Sequence, residues 1–302
     1  MNATLADYHH GIKLSGIRWT GCVWNVFNGC TALSPGCANC YAARLAATRL
    51  KHLPQFSGLA ETTNAGARWI PGKITFDEKA LLAPLKWRQP QFVFVNAFGD
   101  TFHESIPFES IDKLFSVMAA CPQHTFAVLT KRPGRGMEYF ENLGYRTEMV
   151  GIEAEYITGL DRTQWDESGG DDHCPTWPLP LPNVWLGVSV ENQQTADERI
   201  PLLLQTPAAV RWISAEPLLG PLDIGMYLPR IESLGENLDW VVCGGESGKN
   251  HRPMNPDWAR SLRDQCQAAN IPFFFKQYSG QQPKLLGHLL DGVNHDEFPR
   301  TK

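Results

Sequence analysis

Residues 92–100 read FVFVNAFGD, a run of four apolar residues followed at once by a polar, glycine-containing stretch. The same arrangement recurs in TFAVLTKRP at 125–133, in VWLGVSVEN at 184–192 and in VRWISAEP at 210–217. Short runs that are apolar on both faces are typical of the buried strands of a parallel sheet. The recurrence therefore predicts such a sheet, with polar side chains gathered where its strands end.

Helical stretches separate these apolar runs along the chain. Strands are predicted at 92–95, 125–129, 184–190, 210–214, 240–243 and 272–276, with a weaker first strand at 17–24. Helices are predicted at 41–52, 108–120, 195–205 and 257–269. Strands that alternate with helices build βαβ units, so we predict an α/β fold, a full or partial parallel (β/α) barrel. Residues 1–302 would form a single domain, since such barrels commonly have this length.

Composition places further limits on the fold and on the location of the protein. Of the 302 residues, 43% are hydrophobic, which is enough for one large core. A segment rich in acidic residues, glycine and proline predicts an insertion at about 144–182, and a second irregular stretch lies at 53–72. The first 16 residues lack the apolar stretch of a signal peptide, and no run of about 18 apolar residues occurs. We therefore expect a cytoplasmic protein with no membrane partner.

Four of the eight cysteines lie within 19 residues, and the last three of these, Cys30, Cys37 and Cys40, form C-x6-C-x2-C. Thiolates are the soft ligands that zinc and iron–sulfur clusters select. A structural zinc needs four ligands, so it would require Cys22 as well. A cluster held by three cysteines instead leaves one iron open. On spacing alone, zinc, a cluster and metal-free thiols all remain possible. The other four cysteines are expected to be buried free thiols: Cys121, Cys174, Cys243 and Cys266.

The cysteine segment IRWTGCVWNVFNGCTALSPGCANCYAARLA, residues 17–46, resembles the opening of an uncharacterised phage and bacterial family placed in the radical S-adenosylmethionine (SAM) superfamily. The likeness continues through VNAFGDTFHESIP, VLTKRP, NVWLGVSVEN, SAEPLLGPL, DWVVCGGESG, RPMNPDWARSLRDQCQAANIPFFFKQ and LLDGVNHDEFP, and so covers nearly the whole chain. The characterised proteins that this family distantly resembles are spore photoproduct lyase and its kin. The resemblance implies a barrel of the radical SAM type with inserted loops. It also implies a 4Fe-4S cluster on Cys30, Cys37 and Cys40.

The resemblance extends to residues beyond the cysteines. Spore photoproduct lyase and its kin have an acidic motif, a Thr-Lys-Ser motif and a serine motif after successive strands, and Asp100, Lys131 and Ser189 occupy those places here. These three residues are therefore expected to bind SAM, with Lys131 beside its carboxylate. Asn96 and Glu216, which also follow strands, are further candidate cofactor contacts.

The cysteine segment departs from the common radical SAM pattern in two ways. The cysteines are separated by six and then two residues, whereas three and then two is usual. The residue before the third cysteine is Asn39, where the common pattern has an aromatic residue. A Gly-Gly-Glu motif, usual after an early strand, comes late, at Gly244–Glu246.

The resemblance implies reductive cleavage of SAM by the cluster, followed by hydrogen abstraction from a substrate by a 5′-deoxyadenosyl radical. The electron would come from a donor of the flavodoxin or ferredoxin type. We favour a nucleic-acid base or nucleotide as substrate, with a peptide or small metabolite as alternatives. Lys131, Arg132 and Arg135 in TKRPGR are candidate phosphate contacts. The net charge of −5 excludes a surface that is basic overall but not a local basic patch.

Two other classes of function remain open at this stage. The first is a zinc module that binds nucleic acid and uses Cys22 as its fourth ligand. The second is a metal-free barrel hydrolase in which Glu191, Glu216 and Glu246, which end three strands, act as acid and nucleophile. The zinc module leaves the polar strand ends unexplained, and the hydrolase leaves the cysteines unexplained.

Overall fold

The computed structural model describes residues 3–4, 17–64, 66–159, 179–229 and 236–300. Its centre is one sheet of seven strands, which follow one another in chain order and are all parallel. The sheet curls into a half-barrel. In the described ranges the first and last strands of the sheet do not pair, so the predicted barrel is partial and not closed. The strands are β1 (Cys22–Val23), β2 (Phe92–Val95), β3 (Thr125–Thr130), β4 (Val184–Ser189), β5 (Val210–Ala215), β6 (Trp240–Gly244) and β7 (Phe273–Gln277).

Helices follow most of these strands and confirm the predicted alternation. They are α1 (Tyr41–Ala47), α2 (Glu78–Leu81), α3 (Phe108–Ala119), α4 (Pro133–Phe140), α5 (Leu143–Thr158), α6 (Gln193–Gln205) and α7 (Pro256–Ala268). Helix α1 ends five residues before the predicted limit at residue 52. Its C-terminal cap, Thr48, bonds back through its hydroxyl to the carbonyl of Arg44 at 2.6 Å, a contact that competes with a further helical turn.

Side chains alternate across the sheet and form two separate cores. The outward residues of each strand, such as Val93 and Val95 of β2, pack with the helices. The inward residues form an aromatic core on the concave side. Its members include Trp19, Phe92, Trp185, Trp212, Trp240, Phe274 and Phe298. Trp19 lies edge-on to Phe94, with ring centroids 4.8 Å apart. At the carboxyl ends of the strands this aromatic core ends in Trp19 and Phe94, which border a cavity.

A smaller apolar cluster joins the cysteine segment to the residues that follow it. Helix α1 packs on a two-stranded hairpin formed by Ala60–Thr63 and Gly66–Trp69. Between them lies an apolar cluster of Ala42, Ala43, Ala46, Phe56, Leu59 and Trp69. Cys30 and Cys40 pack against this cluster, so the predicted irregular stretch at 53–72 is part of the support of the cysteines.

The predicted insertion at about 144–182 begins as a regular helix. Helix α5 packs on α3, where the hydroxyl of Ser116 donates to the carbonyl of Val150 at 3.0 Å. This part of the segment therefore belongs to the outer layer of helices. Residues 160–178, with Cys174, lie outside the described residues. In the ranges that the structure describes, no helix has both the length and the apolar character needed to cross a membrane.

Candidate cofactor site at the open end of the half-barrel

One cavity of about 1130 Å³ occupies the carboxyl ends of the strands. Its floor is the top of the aromatic core, with Trp19, Phe94 and Leu129, and the cysteine loop covers part of its wall. All eight residues that the sequence analysis proposed as ligands or cofactor contacts line this cavity: Cys30, Cys37, Cys40, Asn96, Asp100, Lys131, Ser189 and Glu216. Strand ends that are far apart in the sequence thus meet the cysteines at one place.

The three cysteines of the motif are partly buried thiols on a short loop that leads into α1. Cys40 is the N-terminal cap of α1, and its Sγ accepts a bond from the amide of Ala43 at 3.5 Å. Burial raises the pKa of Cys30 to about 12 and also raises that of Cys40. As they stand, no three His, Cys, Asp or Glu side chains in the described ranges are grouped to hold an ion. Burial disfavours the charged thiolate form, and the positive charge of a metal centre bound by the three cysteines would stabilise it.

Cys22 is separate from this group. It lies on β1, packs against the outer core with the helices, and does not line the cavity, whereas its neighbour Val23 packs on the inner core. The four-cysteine zinc site therefore lacks its fourth ligand in this structure. Three cysteines outside the motif are buried, as predicted: Cys121, Cys243 and Cys266.

Asp100 is fully engaged in holding the segment that follows β3. Its carboxylate accepts bonds from the hydroxyl of Thr130 at 2.6 Å, from the amide of Lys131 at 2.9 Å and from Nη1 of Arg132 at 3.1 Å. The guanidinium of Arg132 in turn donates to the carbonyl of Thr31 at 3.1 Å and lies 3.8 Å from Sγ of Cys30. Asp100 thus holds a buried cation against the first cysteine.

Glu191, at the end of β4, is the second anchor of the cysteine loop. Its side chain is fully buried and accepts bonds from Nζ of Lys131 at 2.5 Å, from Nη1 of Arg199 at 3.2 Å and from the hydroxyl of Ser34 at 2.9 Å. Burial alone would raise the pKa of Glu191, but the charges of Lys131 and Arg199 and the hydrogen bonds outweigh it and lower that pKa. Gly36 is pressed against the same carboxylate, because a Cβ there would lie 2.4 Å from Oε1.

Glu246, which follows β6, is the third anchor. Nδ2 of Asn39 donates to it at 2.9 Å, and the amide and guanidinium of Arg252 donate at 2.8 Å and 2.5 Å. Nδ2 of Asn39 also donates to the carbonyl of Asn250 at 2.8 Å. Asn39, which replaces the aromatic residue of the common pattern, therefore fastens the loop to a strand end.

The remaining predicted contacts differ in how free they are to meet a ligand. Glu216 pairs with Nζ of Lys276 at 2.7 Å and accepts bonds from the indole of Trp19 and the hydroxyl of Ser214, both at 3.3 Å. Nδ2 of Asn96 donates to the carbonyl of Phe27, while its Oδ1 is buried with no partner in the described residues. The hydroxyl of Ser189 likewise has no partner there, and the residue is 5% exposed.

The structural roles of Arg132 and Glu191 were not predicted from the sequence. Arg132 was expected only as a candidate phosphate contact, and Glu191 only as a hydrolase carboxylate. The hydrolase itself gains no support here. A general acid needs a raised pKa, whereas burial is outweighed by hydrogen bonds and neighbouring charge at both Glu191 and Glu246, and their pKa values are lowered. Glu216 is held in its pair with Lys276.

Comparison with known proteins identifies a family but no activity. No curated protein and no solved structure matches the chain. Residues 14–299 match the family described as "Protein of unknown function (DUF5131)", which is nearly the whole of the chain and includes the cysteines and every strand end of the cavity. The chain belongs to this DUF5131 family.

Proposed function

We propose that this protein is a radical SAM enzyme that binds a 4Fe-4S cluster on Cys30, Cys37 and Cys40. The observation that carries the proposal is that these three cysteines and the polar strand ends line one cavity, while Cys22 faces the other side of the sheet. Three thiolates leave one iron of such a cluster without a protein ligand, which is where the amino and carboxylate groups of SAM bind in enzymes of this kind. A reductant of the flavodoxin or ferredoxin type would supply the electron.

When bound, the cluster and SAM supply a one-electron cleavage that yields methionine and a 5′-deoxyadenosyl radical able to abstract hydrogen from a substrate. The chain's own residues bind, orient and exclude water. Asp100 and Arg132 fix the loop at Cys30, and Glu191 and Glu246 fix it at Ser34 and Asn39. The aromatic floor beneath them keeps water from the base of the cavity.

The polar groups that remain available define where SAM would lie. The hydroxyl of Ser189 has no protein partner in the described residues, and the ammonium of Lys131, 21% exposed, reaches the cavity beside Glu191. Lys131 is positioned to share its charge between Glu191 and the methionine carboxylate. The pair of Glu216 and Lys276 lies at the ends of β5 and β7 and offers both an acceptor and a donor to a ligand in the cavity.

The test is anaerobic reconstitution with iron and sulfide, followed by metal analysis and an assay for reductive SAM cleavage. About four irons per chain are expected in the wild-type protein. Cys37→Ala should lose the cluster and SAM cleavage, whereas the matched variant Cys22→Ala should keep both, since Cys22 is outside the cavity. Bound zinc that is lost equally in the two variants would refute the proposal in favour of a four-cysteine zinc site.

A further inference from the structure

The residues that follow the cysteine motif carry a charge opposite to that of the whole chain. Between 41 and 76 there are five lysines and arginines and one acidic residue, a net charge of +4 in a chain whose net charge is −5. We call these five cations the basic rim: Arg44, Arg49, Lys51, Arg68 and Lys73. All five are exposed. In the described part of the chain, only Arg68 forms an ion pair, with Glu61 at 2.7 Å.

Three of the five cations of the basic rim lie at or near the cavity: Arg44, Arg68 and Lys73. Arg68, Trp69 and Pro71 line the cavity wall directly. The amide of Gly72 donates to the hydroxyl of Thr31, next to Cys30, at 3.3 Å, which places Lys73 at the cysteine loop. Cys40 is the N-terminal cap of helix α1, which rises about 1.5 Å per residue, so Arg44 lies about one helical turn from that cysteine.

The cations that the sequence predicted as phosphate contacts are engaged elsewhere. Lys131 pairs with Glu191, and Arg132 pairs with Asp100 and with Glu104. Arg135 pairs with Glu138 at 2.9 Å, and its guanidinium lies 3.8 Å from the ring centroid of Phe108. The cations of the TKRPGR segment therefore all have acidic partners within the protein, whereas Arg44 and Lys73 of the basic rim lie near the cavity without an ion pair in the described residues.

We propose that a nucleic-acid strand binds across the basic rim and inserts one base into the cavity. Exposed, unpaired lysine and arginine side chains are the groups that meet phosphates. The cavity beside them is lined by the rings of Tyr41, Trp69 and Phe98, on which a base can stack. Its volume of about 1130 Å³ exceeds the roughly 300–1,000 Å³ of typical small-molecule sites, which is space for more than one small ligand. This proposal gives the radical SAM activity proposed above a substrate class. It rests on that activity for the reaction of the inserted base but not for the binding of the strand.

Two double variants test the role of the basic rim. Arg44→Ala/Lys73→Ala removes one arginine and one lysine from the part of the rim that lies near the cavity. Lys86→Ala/Arg88→Ala removes the same charges from the segment that leads into β2, at the opposite end of the half-barrel, where both side chains are also exposed. Binding of single-stranded DNA and RNA of about 12 nucleotides is measured against salt concentration, together with a duplex and with polyglutamate of equal charge. Comparing these ligands distinguishes DNA from RNA, and it distinguishes a polyanion that carries bases from polyglutamate, which carries none.

The expected result is a log–log salt slope that is shallower by about 1.4 for the rim variant than for the wild type, since each phosphate contact on a single strand contributes about 0.7. The control variant should keep the wild-type slope, and polyglutamate should bind more weakly than either single strand. Equal slopes in the two variants, or polyglutamate binding as tightly as the strands, would overturn the proposal. Iron content and SAM cleavage are measured on the same samples. If the protein cleaves SAM but binds no strand, only the nucleic-acid proposal is refuted. If it binds the strand but holds no iron, only the radical SAM proposal is refuted.

Discussion

Glu191→Gln is the substitution that most directly tests how the cysteine loop is held. The carboxylate of Glu191 is 0% exposed and is bonded to two cations, Lys131 and Arg199, and to Ser34 of the loop. Glutamine keeps the size of the side chain but removes the charge. Both cations then remain at the site without their shared counter-charge.

The magnitude follows from the burial of the two cations. Breaking a buried ion pair by removing one partner costs about 3–5 kcal/mol, because the other charge remains desolvated. Arg199 is only 8% exposed and cannot easily reach water, whereas Lys131 is 21% exposed and can turn towards the cavity. We therefore expect the lower end of that range, a loss of about 3 kcal/mol in the free energy of unfolding. The loop should also bind iron less completely, since Ser34 loses a charged acceptor.

The assay is equilibrium unfolding in urea under anaerobic conditions, with iron content determined on the same preparations. Glu104→Gln is the matched control, since Glu104 also bonds to a cation, Arg132, at 2.8 Å, but is 61% exposed. Because Glu104 is exposed and Arg132 keeps its ion pair with Asp100, this variant should lose at most about 1 kcal/mol and take up iron as the wild type does. If Glu191→Gln is no more destabilising than Glu104→Gln, then the reasoning about the buried anchor is wrong.

Two further outcomes are expected. Gly36→Ala should reduce iron uptake, because its Cβ would lie 2.4 Å from Oε1 of Glu191 and push the loop away. The control Gly144→Ala faces open space in α5, so it should leave iron uptake unchanged and raise stability by up to about 1 kcal/mol. Equal iron content in the two variants would contradict this prediction. Glu191 and Glu246 have pKa values below the ordinary 4.5, because hydrogen bonds and neighbouring charge outweigh the effect of burial. The stability that these two carboxylates give the folded protein is therefore complete above pH 4.5 and is lost as the pH falls below it. Glu246→Gln should therefore show a weaker loss of stability below pH 4.5 than the wild type in acid titrations followed by circular dichroism, and an unchanged slope would remove Glu246 from the explanation.

The sequence was sufficient to predict the sheet and the place of the cavity. The strands could be found because they are buried on both faces and so are apolar throughout, as in FVFV at 92–95. The polar strand ends could be found because parallel strands all deliver their carboxyl ends to one edge. The roles of Arg132 and Glu191 could not be found in this way. Arg132 meets Cys30 across 102 positions of the sequence, and Glu191 meets Ser34 across 157, so neither contact leaves a local pattern.

The two features of the cysteine segment that differ from the common radical SAM pattern, its six-residue spacing and Asn39, both contact strand-end carboxylates. Six residues separate Cys30 from Cys37, and two of them, Ser34 and Gly36, contact Glu191. Asn39, in the place of an aromatic residue, docks on Glu246. Both features thus place a loop residue against a strand-end carboxylate, and each carboxylate is paired with positive charge: Glu191 with Lys131 and Arg199, and Glu246 with Arg252. A longer loop loses more conformational freedom when it is ordered, so these added contacts offset the cost of holding the three cysteines at the cavity.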